Sequence, residues 1–368
     1  MDRVLLLTEG TIQLNVGRGE LHDYVHVLEE TGIPLPPLVE LGALLRERGL
    51  DIAPLPPVPD DAAAILEEVL PPREVFSELA PRVPETARGA PRLRVSDLGF
   101  IYPPPRRTDA LRGIDLELPV GTMVAIVGHN GSGKTTLARC ISGEFRPTTG
   151  SIEVDGLDVH SMSVRARARH VGYVFQNPDH QIFKDPVIDD VAFGPVNLGV
   201  PRERALAKSE DMLKALNLWD QRDVHPFRLS KGNRQRLAIA AVAVMEPPLI
   251  IIDEPTTGQD FLESNAILAL LKQMTRDADQ TVLVITHDME LVAAYADLVI
   301  ALGEGEVLKF GPPQAVFRDE DTLRRTFVKP PSVTALGNRL NLEPRPLTLT
   351  DALDAILALT GAGKVVKE

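Results

Sequence analysis

The chain has 368 residues and a formal net charge of −13, with 44% apolar and 25% charged residues. This size suits one large globular domain with appendages, or two domains. Such an acidic chain lacks the basic surface that binds nucleic acid, so no DNA or RNA partner is expected. The single cysteine, Cys140, excludes an intrachain disulfide. No apolar stretch suits a signal peptide or a membrane span, so we expect a soluble protein that reaches a membrane only through a partner.

The first 70 residues are the least expected part of the chain. Apolar runs predict two strands around a tight turn, at residues 4–7 and 12–14, and a helix over residues 38–48. Four segments resemble later ones in the same order: 2–10 with 297–305, 36–39 with 330–333, 41–45 with 336–340, and 61–66 with 351–357. Such internal similarity indicates duplication. We interpret residues 1–70 as a remnant resembling the C-terminal end of an earlier copy of the next domain, left either by a late start in a tandem gene or by truncation.

A proline-rich linker is predicted over residues 71–91, and a complete domain follows it. Alternating apolar residues around 93–95, 114–118 and 152–154 predict a small antiparallel β layer. Tyr102 lies in this layer and could stack on an adenine ring, although a tyrosine on an exposed strand needs no such role.

A phosphate-binding loop is predicted where the apolar run Met123–Val127 ends. The segment GHNGSGKT fits the pattern G-x-x-x-x-G-K-[ST], with a strand before it and a helix after it. Its backbone N–H groups and the positive helix end can hold phosphate oxygens, while the lysine reaches the phosphates and the threonine hydroxyl ligates Mg²⁺. The residues concerned are Gly128, His129, Asn130, Gly131, Ser132, Gly133, Lys134, Thr135 and Thr136.

Further polar residues follow predicted strands or precede helices. Gln176 comes after a strand-like run, and Ser230 could act simply as a helix N-cap. Asp253 and Glu254 end a buried strand of the parallel type, where the first could hold Mg²⁺ and the second could accept a proton from water. His287 ends a second such strand, at the sheet edge where α/β proteins bind ligands. Each of these residues alone could be structural.

Together with Ser230-Lys-Gly-Asn and Thr257-Gly-Gln-Asp, these motifs resemble an ATP-binding cassette (ABC) ATPase over residues 92–318. The run from Phe175 to Phe183 makes the chain most similar to the energy-coupling factor ATPases, which drive vitamin and metal-ion uptake. The resemblance implies an α/β P-loop NTPase fold, with a mainly parallel sheet core, an antiparallel β layer and a helical subdomain. Residues 319–368 would form a C-terminal extension.

The resemblance also implies a role for each site residue. Tyr102 would stack on adenine, and the loop from Gly128 to Thr136 would hold the phosphates. Thr135, Gln176 and Asp253 would serve Mg²⁺, directly or through water. Glu254 would be the general base, with His287 contacting the γ-phosphate and positioning water. Ser230 and Gly232 would complete the ATP site of a second cassette, and Asp260 would communicate across that interface.

The implied partners are a second cassette, in a homodimer or a heterodimer, a polytopic membrane coupling subunit and a substrate-binding membrane subunit. The expected location is therefore peripheral, at the cytoplasmic face of the cell membrane. Ile182 and Phe183 are the candidate contacts for a cytoplasmic helix of the membrane protein, unless they pack internally. Lys231 and Asn233 depart from the commonest signature, Leu-Ser-Gly-Gly-Gln, which should tune the site without abolishing it. Two alternatives remain open: a cassette ATPase of translation or DNA repair, and a non-catalytic regulatory subunit.

Overall fold

The computed structural model describes residues 3–8, 10–17, 20–21, 24, 27–28, 35–71, 90–105 and 107–361. The chain divides into two compact units, one formed by residues 82–328 and the other by residues 1–81 together with 329–368. Most of the predicted linker lies outside the described residues.

The strands, in chain order, are β1 (Arg3–Thr8), β2 (Thr11–Gly17), β3 (Leu93–Ile101), β4 (Asp109–Leu118), β5 (Met123–Val127), β6 (Thr149–Val154), β7 (Leu157–Asp158), β8 (Val171–Val174), β9 (Leu249–Asp253), β10 (Thr281–Ile285), β11 (Leu298–Gly303) and β12 (Glu306–Gly311). The α-helices are α1 (Pro37–Glu47), α2 (Pro59–Glu67), α3 (Lys134–Ile141), α4 (Val164–His170), α5 (Val187–Asn197), α6 (Arg202–Ala215), α7 (Lys231–Ala243), α8 (Phe261–Asp277), α9 (Met289–Tyr295), α10 (Pro313–Arg318), α11 (Glu320–Thr326), α12 (Ser332–Leu340) and α13 (Leu349–Thr360).

The larger unit is built on a six-stranded sheet in the order β12-β11-β5-β10-β9-β8. All its pairs are parallel except β11 with β12. Strands β5, β9 and β10 are buried at every position because helices cover both faces of a parallel sheet. Since parallel strands point the same way, the residues that follow β5, β9 and β10 meet at one edge of the sheet.

A second sheet, in the order β4-β3-β6-β7, forms the antiparallel layer. Its inward residues share one apolar core with β5 and α3, and this core includes the fully buried Cys140, whose thiol pKa burial raises to about 12. Helices α5, α6 and α7 pack on one another and form the helical subdomain, and they share a second apolar core with residues of β9, β10 and α8. The predicted fold class, with its parallel core, antiparallel layer and helical part, is confirmed.

The smaller unit joins the two ends of the chain. Helices α1 and α2 come from the front segment, and α12 and α13 from the C-terminal extension, yet all four share one apolar core. The pairing is crossed, because α1 packs mainly on α13 and α2 mainly on α12. A two-stranded hairpin of β1 and β2 belongs to the same unit. The front segment therefore has an apolar core that it shares with the extension.

Among the described residues, no helix combines the length and apolar character needed to cross a membrane.

Candidate nucleotide site

The phosphate loop connects β5 to α3, and two of its glycines are required by close packing. Gly128 has φ +150°, and a Cβ there would lie 2.1 Å from the carbonyl oxygen of Leu302 on β11. Gly133 has φ +107° and precedes the first residue of α3, where a Cβ would meet the carbonyl oxygen of Ala110 at 2.8 Å. Any larger residue would push the loop off the sheet, since both neighbours are backbone atoms. The glycines thus bring the helix N-terminus onto the edge of the sheet.

Lys134 is the first residue of α3, and its side chain folds back over the phosphate loop. Its Nζ donates hydrogen bonds to the carbonyl oxygens of Gly128 at 2.8 Å and His129 at 2.9 Å. Partial burial lowers the pKa of Lys134, while the nearby carboxylates of Asp253 and Glu254 oppose that change. The ammonium group is therefore held beside the loop, facing two acids.

Asp253 is the last residue of β9, and its carboxylate accepts hydrogen bonds from two hydroxyl groups. Its Oδ2 accepts a hydrogen bond from Thr135 Oγ1 at 3.1 Å and a longer one from Tyr173 OH on β8 at 3.4 Å. Burial raises the pKa of Asp253, and these two hydrogen bonds partly offset that rise. Sequence reasoning missed Tyr173, because a single tyrosine inside a strand matches no motif. The result is a compact set of oxygen ligands at the start of α3.

Glu254 follows Asp253 and leaves the strand in a left-handed conformation, with φ +55°. Its N–H donates to the carbonyl oxygen of Ile285, the last residue of β10, at 2.9 Å. Two residues beyond Ile285, His287 is 82% exposed, and its Nδ1 lies 2.9 Å from Glu254 Oε2. This is a close contact rather than a well-aligned hydrogen bond, since Oε2 forms no hydrogen bond. Burial raises the pKa of Glu254 against the lowering effect of His287.

A cleft of about 850 Å³ opens over the phosphate loop. Ten of the predicted site residues line it: Tyr102, Asn130, Gly131, Gly133, Lys134, Thr135, Thr136, Gln176, Asp253 and Glu254. Gly305 also lines the cleft, and its N–H donates to the carbonyl oxygen of Ser132 at 3.0 Å. Ser132 itself is fully buried, beneath the loop. Gly305 was not predicted as a site residue, because its link to the loop is tertiary, although its turn belongs to the repeated segment 297–305.

The predicted adenine-stacking residue, Tyr102, lines the cleft. Its hydroxyl hydrogen-bonds with Thr136 Oγ1 at 2.9 Å, and its ring meets Phe100 and Phe145 edge-on. These contacts fix the orientation of the ring. Stacking on adenine remains a prediction for this residue.

Seven predicted site residues do not line the cleft: Gly128, His129 and Ser132 of the loop, His287 beside Glu254, and Ser230, Gly232 and Asp260 on other segments. Ser230 caps α7 by accepting a hydrogen bond from the N–H of Asn233 at 3.1 Å, and Asp260 caps α8 in the same manner. Gln259 joins their two segments, because its Nε2 donates to the carbonyl oxygen of Gly232 at 2.7 Å. The structure therefore brings this signature segment and the loop around Gln259 together, apart from the cleft.

The two residues predicted to contact a membrane partner differ in exposure. Ile182 is buried in the core that the helical subdomain shares with the central sheet, so it packs internally and cannot contact a partner. Phe183 is 62% exposed and meets the ring of Phe193 edge-on at 4.7 Å. The contact stays a prediction for Phe183 and is wrong for Ile182.

The residues around the cleft fit a nucleotide phosphate with a divalent cation. The glycine cradle presents backbone N–H groups and the positive end of α3, which suit phosphate oxygens. The hydroxyl of Thr135 and the carboxylate of Asp253 supply the oxygen ligands that Mg²⁺ prefers, and Lys134 supplies positive charge. Fold and site together define a P-loop nucleotide-binding domain of the ATPase class.

Comparison with known proteins identifies the family. Residues 111–257 match the family model described as ABC transporter. An energy-coupling factor transporter ATP-binding protein, EcfA of Methanosphaera stadtmanae, is 37% identical over 267 residues, covering 70% of this chain and 96% of that protein. A solved structure of cbiO1 from Clostridium perfringens, described as part of the ABC transporter complex cbiONQ, is 34% identical with a TM-score of 0.57, covering 64% of this chain and 94% of that one. The chain belongs to the ABC transporter ATP-binding family and carries its ATPase domain.

A longer relative matches nearly the whole chain. A putative ABC transporter ATP-binding protein of Caldanaerobacter subterraneus subsp. tengcongensis is 36% identical over 343 residues, which are 92% of this chain and 59% of that protein. The chain therefore spans less than two thirds of the length of this relative.

Proposed function

We propose that this chain binds and hydrolyses ATP to energise a membrane importer of the energy-coupling factor type, for vitamins or metal ions. The observation that carries the ATPase part is the position of Glu254, a buried carboxylate that opens onto the cleft beside the loop. The importer part is supported by the names of the M. stadtmanae relative and the cbiO1 chain, which refer to transporters.

The loop residues would bind the phosphates of ATP. The N–H groups from Gly131 to Thr136 and the ammonium of Lys134 would meet the phosphate oxygens. Thr135 and Asp253 would hold Mg²⁺, with Gln176 reaching it directly or through water. A bound Mg²⁺ would neutralise phosphate charge as the terminal phosphate leaves. Tyr102 would then meet the adenine ring in the cleft.

Glu254 would take the proton from the attacking water. A general base works best when its pKa approaches the working pH, and burial raises the pKa of Glu254 in that direction. His287 touches the same carboxylate, so its imidazole would orient Glu254 while contacting the γ-phosphate. Glu254 follows β9 directly and His287 lies two residues beyond the neighbouring strand β10, so the sheet places the two groups beside each other.

The second cassette would complete the site from across a head-to-tail interface. Ser230 and Gly232 do not line the cleft of their own cassette. The exposed Ser230 at the start of α7 would meet the phosphates bound by a partner, with the backbone of the buried Gly232 behind it. Asp260 would respond to that contact, because Gln259 ties its loop to the signature segment. The cassette pair, whether homomeric or heteromeric, would work as one ATPase.

The membrane contact would lie near Phe183, at the cytoplasmic face of the membrane. An exposed aromatic ring packed on a second ring offers an apolar seat for a cytoplasmic helix of a polytopic coupling subunit. A separate membrane subunit would bind the transported substrate. The chain would thus be a peripheral membrane component.

Co-purification combined with an ATPase assay tests this function. The tagged chain should bring down a polytopic membrane protein, and Phe183→Ser should weaken that capture. Phe310→Ser is the matched control, because Phe310 is also exposed but lies on β12 at the opposite edge of the sheet from β8. Glu254→Gln should keep ATP binding and assembly while turnover falls by about 10² or more.

Two results would contradict the proposal. Turnover by Glu254→Gln within about threefold of the wild type would show that Glu254 is not the general base. If the Phe183 and Phe310 variants capture the membrane protein equally well, Phe183 does not contact it.

A further inference from the structure

The Gln176 loop, residues 175–186, lies against helix α7. Gln176 itself is exposed and lines the cleft. One 3₁₀ turn, Pro178–His180, follows it, and soon afterwards comes Ile182, which is buried in the same apolar core as Leu237 of α7. Apolar packing is non-directional, so burial of Ile182 alone does not fix where the loop points. The hydrogen bonds around Ile182 supply that direction.

Gln181 connects α7 to the start of the loop. Its Nε2 donates a hydrogen bond to the carbonyl oxygen of Ala238 on α7 at 2.8 Å, and its Oε1 accepts one from the N–H of Phe175 at 3.3 Å. Phe175 directly precedes Gln176, at the point where the chain has just left β8. The side-chain amide therefore holds the backbone from which Gln176 projects.

Arg234 makes a second contact, one helical turn earlier on the same face of α7. Its Nε donates to Asp179 Oδ1 at 2.6 Å, and its Nη1 donates to the carbonyl oxygen of Leu229 at 2.7 Å. The Arg234 side chain is 19% exposed and that of Asp179 is 40% exposed, so solvent screens the ion pair only in part. A planar guanidinium can donate in two fixed directions at once. Arg234 therefore joins the Gln176 loop to the backbone just before Ser230.

The far end of the loop is held by a different helix. Asp190 of α5 is buried, and its Oδ1 accepts hydrogen bonds from the N–H groups of Phe183 at 3.1 Å and Lys184 at 2.8 Å. The proposed membrane contact at Phe183 is thus fixed by α5. The part of the loop next to Gln176 is fixed by α7.

We propose that Arg234 and Gln181 are positioning residues for ATP hydrolysis, which hold the loop so that Gln176 points into the cleft. Neither residue lines the cleft, so both act through the loop and not on the nucleotide. The proposal rests on the role that the proposed function gives to Gln176. It adds the side chains that place Gln176, and it assigns them to the face of α7 that carries Arg234 and Ala238.

Hydrogen–deuterium exchange of the nucleotide-free chain tests the position of the loop without any turnover. Arg234→Gln should speed exchange over residues 175–182 by about tenfold or more, because a segment with fewer contacts opens more often. Arg202→Gln is the matched control, since Arg202 of α6 donates to Asp189 at the same distance of 2.6 Å. Equal exchange over residues 175–182 in the two variants would overturn the proposal.

Gln181→Glu is a second test of the same contact. The new carboxylate can still accept from the N–H of Phe175 but can no longer donate to the carbonyl oxygen of Ala238. Exchange over residues 175–182 should therefore increase as it does in Arg234→Gln. Wild-type exchange in this variant would show that Gln181 does not hold the loop.

Steady-state kinetics then show whether the position matters for the reaction. Arg234→Gln should lower kcat about tenfold, since a misplacement of about 1 Å can cost a factor of 10². The KM for ATP should change by less than about twofold, because the phosphate loop is untouched. In a Gln176→Ala background, Arg234→Gln should cost nothing further, because the arginine acts through Gln176. An equal loss of kcat in both backgrounds would overturn the proposal.

Capture of the membrane protein separates this proposal from the proposed function. Arg234→Gln should capture it as well as the wild type does, because Asp190 holds the backbone at Phe183 independently. Loss of capture would contradict the separate attachment of the two ends of the loop. A negative exchange result would leave the dependence of turnover on Glu254 and of capture on Phe183 unaffected, and failure of those two tests would not alter the exchange.

Discussion

Replacing Gly128 by alanine tests how closely the phosphate loop is fitted to β11. The added Cβ would lie 2.1 Å from the carbonyl oxygen of Leu302 and 2.9 Å from Ser132 Oγ. Uncharged carbon atoms settle at roughly 3.5 Å from such neighbours, so the loop must move by more than about 1 Å. A misplacement of that size can cost a factor of about 10² in rate. We expect Gly128→Ala to lose ATP turnover to this extent and to bind ATP at least about tenfold more weakly.

Gly131→Ala is the matched control in the same loop. Gly131 also has a left-handed backbone, with φ +85°, but a Cβ there would meet nothing within 4 Å. The control therefore carries only the conformational cost of alanine, about 1–2 kcal/mol. Titration with a fluorescent ATP analogue and a steady-state ATPase assay compare the two variants. If Gly128→Ala binds ATP as tightly as Gly131→Ala does, close packing against β11 does not position the loop.

Two further predictions concern the acids of the cleft. Tyr173→Phe removes a hydroxyl group that donates a hydrogen bond to Asp253. The Mg²⁺ concentration for half-maximal ATP binding should therefore rise about threefold to tenfold, while ATP binding without metal should not change. A Mg²⁺ titration identical to that of the wild type would refute this. Because burial raises the pKa of Glu254, and the protonated acid cannot accept a proton, the ATPase rate should fall with decreasing pH from a midpoint above the ordinary value of 4.5. The pH profile of kcat checks this, and a midpoint at or below 4.5 would contradict it.

The sequence predicted the parts of the fold that are encoded by local pattern. Met123–Val127 forms a strand with the predicted bounds, because a short continuous apolar run is typical of a buried strand. The strand that ends at Asp253 is equally well predicted, and its parallel neighbours bring His287 to Glu254 as expected of strands that end at one edge. Motif and strand position were sufficient here, because the chemistry lies directly at the ends of the elements.

Features that depend on tertiary packing could not be predicted in this way. Tyr173 reaches Asp253 from the next strand, and Gly305 holds the loop from a distant turn. Ile182 looked like a surface anchor, but the short 3₁₀ turn at Pro178–His180 directs it into the core. The repeat indicated that the front segment was related to the chain's end. It did not indicate that the two would share one core with crossed helices.

Glu254 shows how the sheet determines the direction of the base. A non-glycine residue in the left-handed region costs about 1–3 kcal/mol, so the surrounding structure must enforce it. The buried strand before Glu254 fixes the preceding backbone, and the N–H of Glu254 is held by the carbonyl oxygen of Ile285 at 2.9 Å. The left-handed conformation ends the alternation of side chains between the two faces of the sheet. It directs the Glu254 carboxylate toward the cleft, where Oε2 lies beside His287. The orientation of the base is therefore set by backbone contacts between β9 and β10, which explains how it can remain aimed at the phosphate loop while partly desolvated.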